Sequence, residues 1–236
     1  MPSRSAVVEL AIRRPRGALP RFIAVPPTLT PPLASTGPVE EVGNAPYSSV
    51  GLLVDGQTGT ATTAWLVAPD TIMTAGHCLC RPEQRPRARS FHFALQYSRV
   101  QGGWWSRVIA AATLWGWDMH SDHHYDIGVC KIDQRFSIPR LQIIPVAPAQ
   151  ECLVLGYAFG GAQLWQARSQ DLRWNTRGAR LSAHMSEGCS GGPWLIKRGR
   201  NYIPIGITSR GGEGFLLSPA WGKGVANLLD WASGQP

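Results

Sequence analysis

The sequence predicts an all-β protein in which two six-stranded antiparallel β-barrels pack together and a short helix ends the chain. Charged residues make up only 16% of the 236 residues, whereas glycine (26) and proline (19) are abundant. This balance favours short strands joined by many turns over long helices. Apolar runs of strand length recur along the chain, and only one stretch near the C-terminus has helical periodicity. A cleft between two barrels is a natural place for a site.

The chain divides into three segments. Residues 1–44 are rich in proline and arginine, which predicts a leader or pro-segment, a mobile arm, or a strap lying on the folded body. Residues 45–138 form the first barrel, with predicted strands at 49–54, 61–67, 71–75, 91–97, 106–114 and 127–132. Residues 139–236 form the second barrel and the terminal helix, with predicted strands at 152–157, 163–168, 179–184, 194–197, 202–208 and 214–217, and the helix at 225–231.

The net charge of +8 does not indicate nucleic-acid binding. Basic residues of the N-terminal part concentrate in two clusters, Arg13–Arg21 and Arg81–Arg89. Neither cluster interleaves with aromatic residues, and no nucleic-acid-binding motif accompanies them. We therefore expect no nucleic-acid partner, and we interpret the clusters as solvated loops or as an attraction for an acidic partner.

Three features bear on localisation. No apolar run approaches the roughly 20 residues that a membrane span requires. The apolar run 6–12 is short, contains Glu9 and is followed rather than preceded by its basic residues, unlike a secretory signal. The five cysteines also cannot all pair within one chain. Together these features favour a reducing compartment such as the cytoplasm, with secretion as the alternative.

A serine surrounded by glycines is the centre of the candidate chemistry. Ser190 lies in Glu187-Gly188-Cys189-Ser190-Gly191-Gly192-Pro193, and its hydroxyl needs a base within hydrogen-bond reach to become a nucleophile. His77, at the end of a buried-looking strand, is the candidate base, although a lone histidine there is more often structural. Asp126, which begins an apolar strand, can orient a histidine, although such an aspartate also suits a simple turn.

These three motifs resemble those of the chymotrypsin-like (trypsin-fold) serine peptidases. The resemblance rests on Thr-Ala-Gly-His-Cys around His77, Asp-Ile-Gly-Val from Asp126 and Gly-Cys-Ser-Gly-Gly-Pro around Ser190, in that order. The stretches 46–51 and 63–69 are more similar to the bacterial glutamyl-endopeptidase branch than to digestive trypsins. The resemblance covers the chain from about residue 45 to the C-terminal helix.

The resemblance implies a serine endopeptidase that acts on a protein or peptide substrate without metal or other cofactor. Ser190 would attack the scissile carbonyl, His77 would transfer the proton and Asp126 would orient His77. The N–H groups of Gly188 and Ser190 would form the oxyanion hole. Ser209 would support the aspartate, and the substrate would lie along Ser209 to Gly211 as an added strand.

The sequence departs from the trypsin pattern at its cysteines. Cys189 replaces the aspartate that pairs with a newly cut N-terminus in trypsins, so that activation switch is expected to be absent. We interpret Cys189 as a buried inert cysteine, with a redox-sensitive thiol as the alternative. Cys78 and Cys152 stand where trypsins carry half-cystines, but their usual partners are missing.

The specificity pocket is the least determined part of the site. The resemblance places His184 at the floor of the primary pocket and Thr208 where glutamyl endopeptidases commonly have histidine. His184, with Arg210 on the wall beside Gly211, would favour an acidic P1 residue, whereas Glu187 at the entrance would oppose it. Small, polar and aromatic P1 residues remain alternatives.

Two further alternatives stay open. The polar cluster 118–124, with His120, His123 and His124, suits a solvated loop better than a zinc or calcium site. The runner-up function is a non-catalytic binding or adaptor module of the same fold, with the Arg81–Arg89 loop as its contact surface. The sequence does not indicate an oligomeric state.

Overall fold

The computed structural model describes residues 3–12, 36–81, 89–144 and 151–235. The basic cluster at 13–21 and residues 82–88 of the Arg81–Arg89 loop lie outside these ranges, as does part of the connection predicted at 139–148. Most of the chain is β-structure, as the sequence predicts.

The first half forms a closed six-stranded barrel of strands β3 to β8. Neighbouring strands pair antiparallel in the order β7-β6-β3-β4-β5-β8, and β8 pairs again with β7 to close the cylinder. The strands are β3 (Val50–Asp55), β4 (Ala61–Ala68), β5 (Thr71–Thr74), β6 (Phe91–Ser98), β7 (Gly102–Leu114) and β8 (Gly128–Ile132). All six correspond to predicted strands, with ends that shift by up to a few residues.

The second half forms two sheets within the described residues. The first contains β9 (Cys152–Gly156), β10 (Trp165–Ser169), β13 (Pro193–Arg198) and β14 (Asn201–Ile207). The second has the order β11-β12-β16-β15, with β11 (Arg173–Asn175), β12 (Gly178–Leu181), β15 (Arg210–Gly212) and β16 (Phe215–Pro219). The two sheets meet where the Ile207 amide donates to Ser218 Oγ at 2.9 Å, instead of through a continuous ladder.

The leader contributes a strand to each half of the molecule. Strand β1 (Val7–Leu10) pairs antiparallel with the end of β7, and β2 (Thr36–Pro38) pairs antiparallel with β10. The two described ends of the leader therefore lie on the folded body. Neither strand was predicted, because a pairing between distant segments leaves little local pattern.

Three short helices complete the described structure: α1 (Gly76–Leu79), α2 (Trp115–His120) and α3 (Lys223–Ser233). Helix α3 is the predicted C-terminal helix, and it buries Val225, Leu228 and Ala232 against the core. Fully buried side chains such as Trp65, Trp194 and Tyr157 lie in the hydrophobic core. No helix among the described residues combines the length and apolar character needed to span a membrane.

Candidate active site

His77 and Asp126 form a doubly hydrogen-bonded pair in the first barrel. His77 lies on α1 just after β5, and Asp126 just precedes β8, so the pairing of β5 with β8 brings the two residues together. The His77 backbone amide donates to Asp126 Oδ1 at 2.7 Å, and His77 Nδ1 lies 2.8 Å from Oδ2. The carboxylate thereby fixes both the position of the histidine backbone and the orientation of its ring.

Ser209 supplies a contact to this pair from the second half of the chain. Its hydroxyl donates to Asp126 Oδ2 at 2.5 Å, and the Asp126 side chain is completely buried. The carboxylate is thus satisfied by two protein donors at Oδ2 and one at Oδ1. A buried carboxylate with this many donors is held in one geometry.

The electrostatic surroundings of His77 favour its protonated form. Burial alone would lower the pKa of His77, but the adjacent Cys78 sulfur and the Asp126 carboxylate hold this pKa well above the usual 6.5. The imidazolium is stabilised because Asp126 is both a negative charge and a hydrogen-bond acceptor. The Asp126 carboxylate therefore makes the His77 ring a stronger proton acceptor.

The loop that carries Ser190 leaves two amide groups without a protein acceptor. The amides of Cys189, Gly191 and Gly192 donate to the carbonyls of Ser186, Thr208 and Cys189. Within the described part of the chain, the amides of Gly188 and Ser190 have no such acceptor. The two amides predicted for an oxyanion hole are therefore both available to a ligand.

Two glycines allow the backbone of this loop. Gly188 and Gly191 have positive φ values of 96° and 83°, which side chains larger than hydrogen disfavour. A Cβ atom on Gly191 would lie 2.2 Å from both the Thr63 carbonyl oxygen and Thr74 Oγ1. The first barrel thus packs directly against the loop, and only glycine fits there.

Thr63 on β4 joins the first barrel to the Ser190 loop and was not predicted as a site residue. Its amide donates to the Ser190 carbonyl at 2.9 Å, and its hydroxyl donates to the Gly188 carbonyl at 2.8 Å. The same hydroxyl accepts from the Tyr157 amide at 2.8 Å. Thr63 therefore fixes the loop at two carbonyls. The only sequence signal was a polar residue within an apolar strand.

The remaining predicted site residues lie in different surroundings. The His184 ring is partly buried, 5.9 Å from the ring of Phe159, and Glu187 is exposed near the loop. Thr208 is only 1% exposed, and its hydroxyl accepts from Trp194 Nε1 at 2.9 Å. The Thr208 side chain thus packs in the core, while its backbone holds the amide of Gly191.

Arg210 and Gly211 lie on β15, an edge strand of the second sheet. Arg210 also lines a cavity of about 340 Å³ together with Ser209 and His123. Burial, followed by the charge of Arg210, lowers the pKa of His123. No sequence pattern indicated this cavity, because its walls come from four separate segments of the chain.

The five cysteines are free and buried, as expected from the missing half-cystine partners. Burial raises the pKa of Cys189 to about 12. A thiol with such a pKa is protonated near neutral pH and is a poor nucleophile. This environment agrees with the interpretation of Cys189 as an inert residue next to the candidate nucleophile.

The polar segment before Asp126 is held by its own contacts. Asp122 Oδ1 accepts from the His124 amide at 3.0 Å and lies 2.7 Å from His124 Nδ1. Asp122 Oδ2 accepts from Arg4 of the leader at 2.7 Å. These contacts anchor the segment that carries Asp126 to the N-terminal strand.

The fold and a family model define the class of this protein. The model described as the trypsin-like peptidase domain matches residues 62–207. The chain therefore belongs to the trypsin-like peptidase family, and it is a serine endopeptidase that acts on protein or peptide substrates. No curated protein sequence matches the chain significantly.

Solved structures of other proteases share this fold. A structure of a Glu endopeptidase in complex with MPD has a TM-score of 0.73 and 19% identity, covering 85% of this chain and 97% of that one. The thermostable serine protease AL20 from an extremophilic microorganism has a TM-score of 0.69 and 19% identity, with 80% and 98% coverage. The protease Anisep from Arthrobacter nicotinovorans has a TM-score of 0.68 and 18% identity, with 80% and 96% coverage. The predicted likeness to a glutamyl endopeptidase is thus confirmed for the fold.

Proposed function

We propose that the chain hydrolyses peptide bonds through an acyl-enzyme formed on Ser190, with His77 and Asp126 completing the triad. His77 accepts the Ser190 proton as the hydroxyl attacks the scissile carbonyl, and then donates it to the leaving amine. A water molecule then attacks the acyl-enzyme while His77 accepts its proton, and the acid product leaves as the proton passes back to Ser190. The observation that carries the proposal is the His77–Asp126 pair, because two hydrogen bonds to one buried carboxylate orient the imidazole.

We further propose that the amides of Gly188 and Ser190 stabilise the oxyanion. Their availability supports this role, since every other amide from Cys189 to Gly192 is already bonded within the protein. Preorganised donors of this kind act where negative charge develops, and removing one such donor typically costs about 10²- to 10³-fold in kcat. Thr63 holds the Gly188 carbonyl and thereby limits rotation of this part of the loop.

For specificity, we propose that the P1 side chain enters beside His184. The imidazole can donate a hydrogen bond to a carboxylate, and a protein with a similar fold is a Glu endopeptidase. An acidic P1 residue is therefore the first candidate, and Glu187 at the rim opposes it. The edge strand Arg210–Gly212 supplies backbone groups on which an extended substrate can pair.

A fluorophosphonate probe tests the triad directly. The wild-type chain is expected to react covalently, and Ser190→Ala to lose all labelling. Ser233→Ala, at the exposed end of α3, is the matched control and should label like the wild type. A folded wild-type chain that does not label would reject Ser190 as an activated nucleophile. Cleavage sites in a peptide library then report the P1 preference.

A further inference from the structure

The cavity beside the candidate active site is strongly cationic. Its volume is about 340 Å³, and its lining includes four arginines and two histidines but no aspartate or glutamate. The arginines come from β11, the following turn, β12 and β15, namely Arg173, Arg177, Arg180 and Arg210. The histidines are His123 and His124, on the 3₁₀ turn that precedes Asp126.

Strand register aligns three of these arginines in one row. Arg173 pairs with Arg180, Arg180 pairs with Leu217, and Leu217 pairs with Arg210. Residues directly opposite each other on neighbouring strands project to the same face, and neighbouring strands are about 4.8 Å apart. The row therefore crosses all four strands of the sheet on its outer side, and it spans roughly 14 Å at that strand spacing.

The charge of this row is not neutralised within the described residues. None of the four guanidinium groups forms an ion pair there. The nearby Asp171 carboxylate accepts hydrogen bonds from Ser169 and Ser182, which lower its pKa, and the charge of Arg173 lowers this pKa further. The Arg180 guanidinium lies 4.9 Å over the Phe215 ring, which offers no formal negative charge.

Like charges directly opposite on paired strands destabilise a sheet. The pairing of Arg173 with Arg180 is therefore unfavourable to folding, and within the described residues neither guanidinium group forms an ion pair that would offset it. An anionic ligand in the cavity would remove this cost, because it would be shared by several guanidinium groups. The like charges that line the cavity therefore favour a ligand of negative charge.

The cavity adjoins the path proposed for the substrate. Ser209, whose hydroxyl bonds Asp126, forms one edge, and Arg210 begins the edge strand that offers backbone groups. On the other side, the His123 ring lies 5.4 Å from Trp117, which in turn lies 6.1 Å from His77. One aromatic ring thus separates the cavity from the catalytic histidine.

We propose that the arginine row of the cavity binds acidic side chains of the substrate, two to four residues on the amino-terminal side of the scissile bond. The acyl part of the substrate stays attached to Ser190, so it is the part held along β15. An extended chain advances about 3.3 Å per residue, which places positions P2 to P4 roughly 7–13 Å from the bond, over the cavity. This inference rests on the proposed function, and it concerns positions other than P1.

Matched peptides test this preference. Starting from the best sequence that a peptide library yields, glutamate at P2, P3 and P4 is compared with glutamine at the same positions. The acidic peptide is expected to have a roughly tenfold higher kcat/KM, since each exposed ion pair contributes modestly and several act together. The preference should decline between 0.01 and 1 M salt, approximate limits that shorten the Debye length from about 30 Å to about 3 Å.

Substitutions in the arginine row test whether its residues cause the preference for acidic peptides. The double variant Arg173→Gln/Arg180→Gln is expected to lose most of the ratio between acidic and neutral peptides. Arg200→Gln is the matched control, because Arg200 is an exposed arginine of the same half that does not line the cavity. It should keep the wild-type ratio. Equal cleavage of both peptides by the wild type, or an unchanged ratio in the double variant, would overturn the inference.

A binding measurement separates this inference from the proposed triad. Fluorescence anisotropy of a rhodamine-labelled Glu-containing peptide reports binding even when no hydrolysis occurs. Absence of fluorophosphonate labelling would reject the triad alone, whereas binding that is insensitive to Arg173→Gln/Arg180→Gln would reject the arginine row alone. Tighter binding of a single-stranded RNA of equal charge would also overturn the assignment to acidic peptides.

Discussion

Thr63 is the residue whose removal should most sharply test how the two halves are joined. Substituting Thr63→Val keeps the shape of the side chain but removes its hydroxyl. The hydroxyl donates to the Gly188 carbonyl and accepts from the Tyr157 amide, each at 2.8 Å, and both Thr63 and Tyr157 are completely buried. Valine would leave both of these backbone groups without that partner.

The expected loss follows from these two contacts. A buried group left without a partner costs about 1–3 kcal/mol. The Tyr157 amide is buried, so the loss of its hydrogen bond should have its full effect. Gly188 is partly exposed, so its carbonyl can accept a hydrogen bond from water instead. The free energy of unfolding should therefore fall by about 1–3 kcal/mol in Thr63→Val, mainly through the Tyr157 amide.

Thr63→Ser is the matched control, since it retains the hydroxyl and loses only a methyl group. Its unfolding free energy should fall by about 1 kcal/mol. Urea unfolding measures both variants against the wild type. In the valine variant the Gly188 carbonyl is released, so the rate of fluorophosphonate labelling at Ser190 should also fall more than in the serine variant. Valine and serine variants of equal stability and equal labelling rate would refute the proposed clamp.

Three other predictions address the triad and the leader. The raised pKa of His77 means that the proton on its ring is lost only above pH 6.5, so kcat/KM should rise with pH along a limb centred above that value. A limb centred at or below pH 6.5 would contradict the stabilisation of the imidazolium. In Asp126→Asn the negative charge is removed, so this limb should move to lower pH, while kcat falls about 10⁴-fold because an asparagine amide favours the tautomer that carries its proton on Nε2 and cannot accept the Ser190 proton; a pH–rate profile measures both. Removing residues 1–12 should lower stability by about 2 kcal/mol, because the ladder between β1 and β7 is lost; at this chain length that corresponds to a Tm lower by roughly 4–8 °C. An unchanged Tm in calorimetry would show that the N-terminal strand is dispensable.

The strands of the first barrel were predictable because each carries its own local signal. The runs that became β3 to β8 are apolar, rich in β-branched and aromatic residues, and bounded by turn residues. Helix α3 was predictable for the same reason, since Val225 and Leu228 lie on one helical face. The strands β1, β2, β11 and β15 carry no comparable pattern. Strands β1 and β2 form through pairing with distant segments, whereas β11 and β15 are three-residue strands that pair in hairpins with β12 and β16.

In the second half, the way the strands assemble into sheets could not be predicted from local sequence either. Its individual strands were largely predicted, but their division into two sheets depends on which edges meet. The Ile207 amide donates to the Ser218 hydroxyl, and just beyond β14 the Ser209 amide donates to the Leu217 carbonyl, so the sheets are joined there. No property of either segment alone indicates these contacts.

The sequence by itself was enough to predict the class of this protein, a trypsin-like serine peptidase. The residues around His77, Asp126 and Ser190 are local motifs, so their identity and order were sufficient to indicate an acyl-transfer site in a two-barrel fold. Tertiary structure alone decided what surrounds that site. Thr63 and the row from Arg173 to Arg210 act through partners on other strands, and strand register, which sequence leaves open, determines those partners.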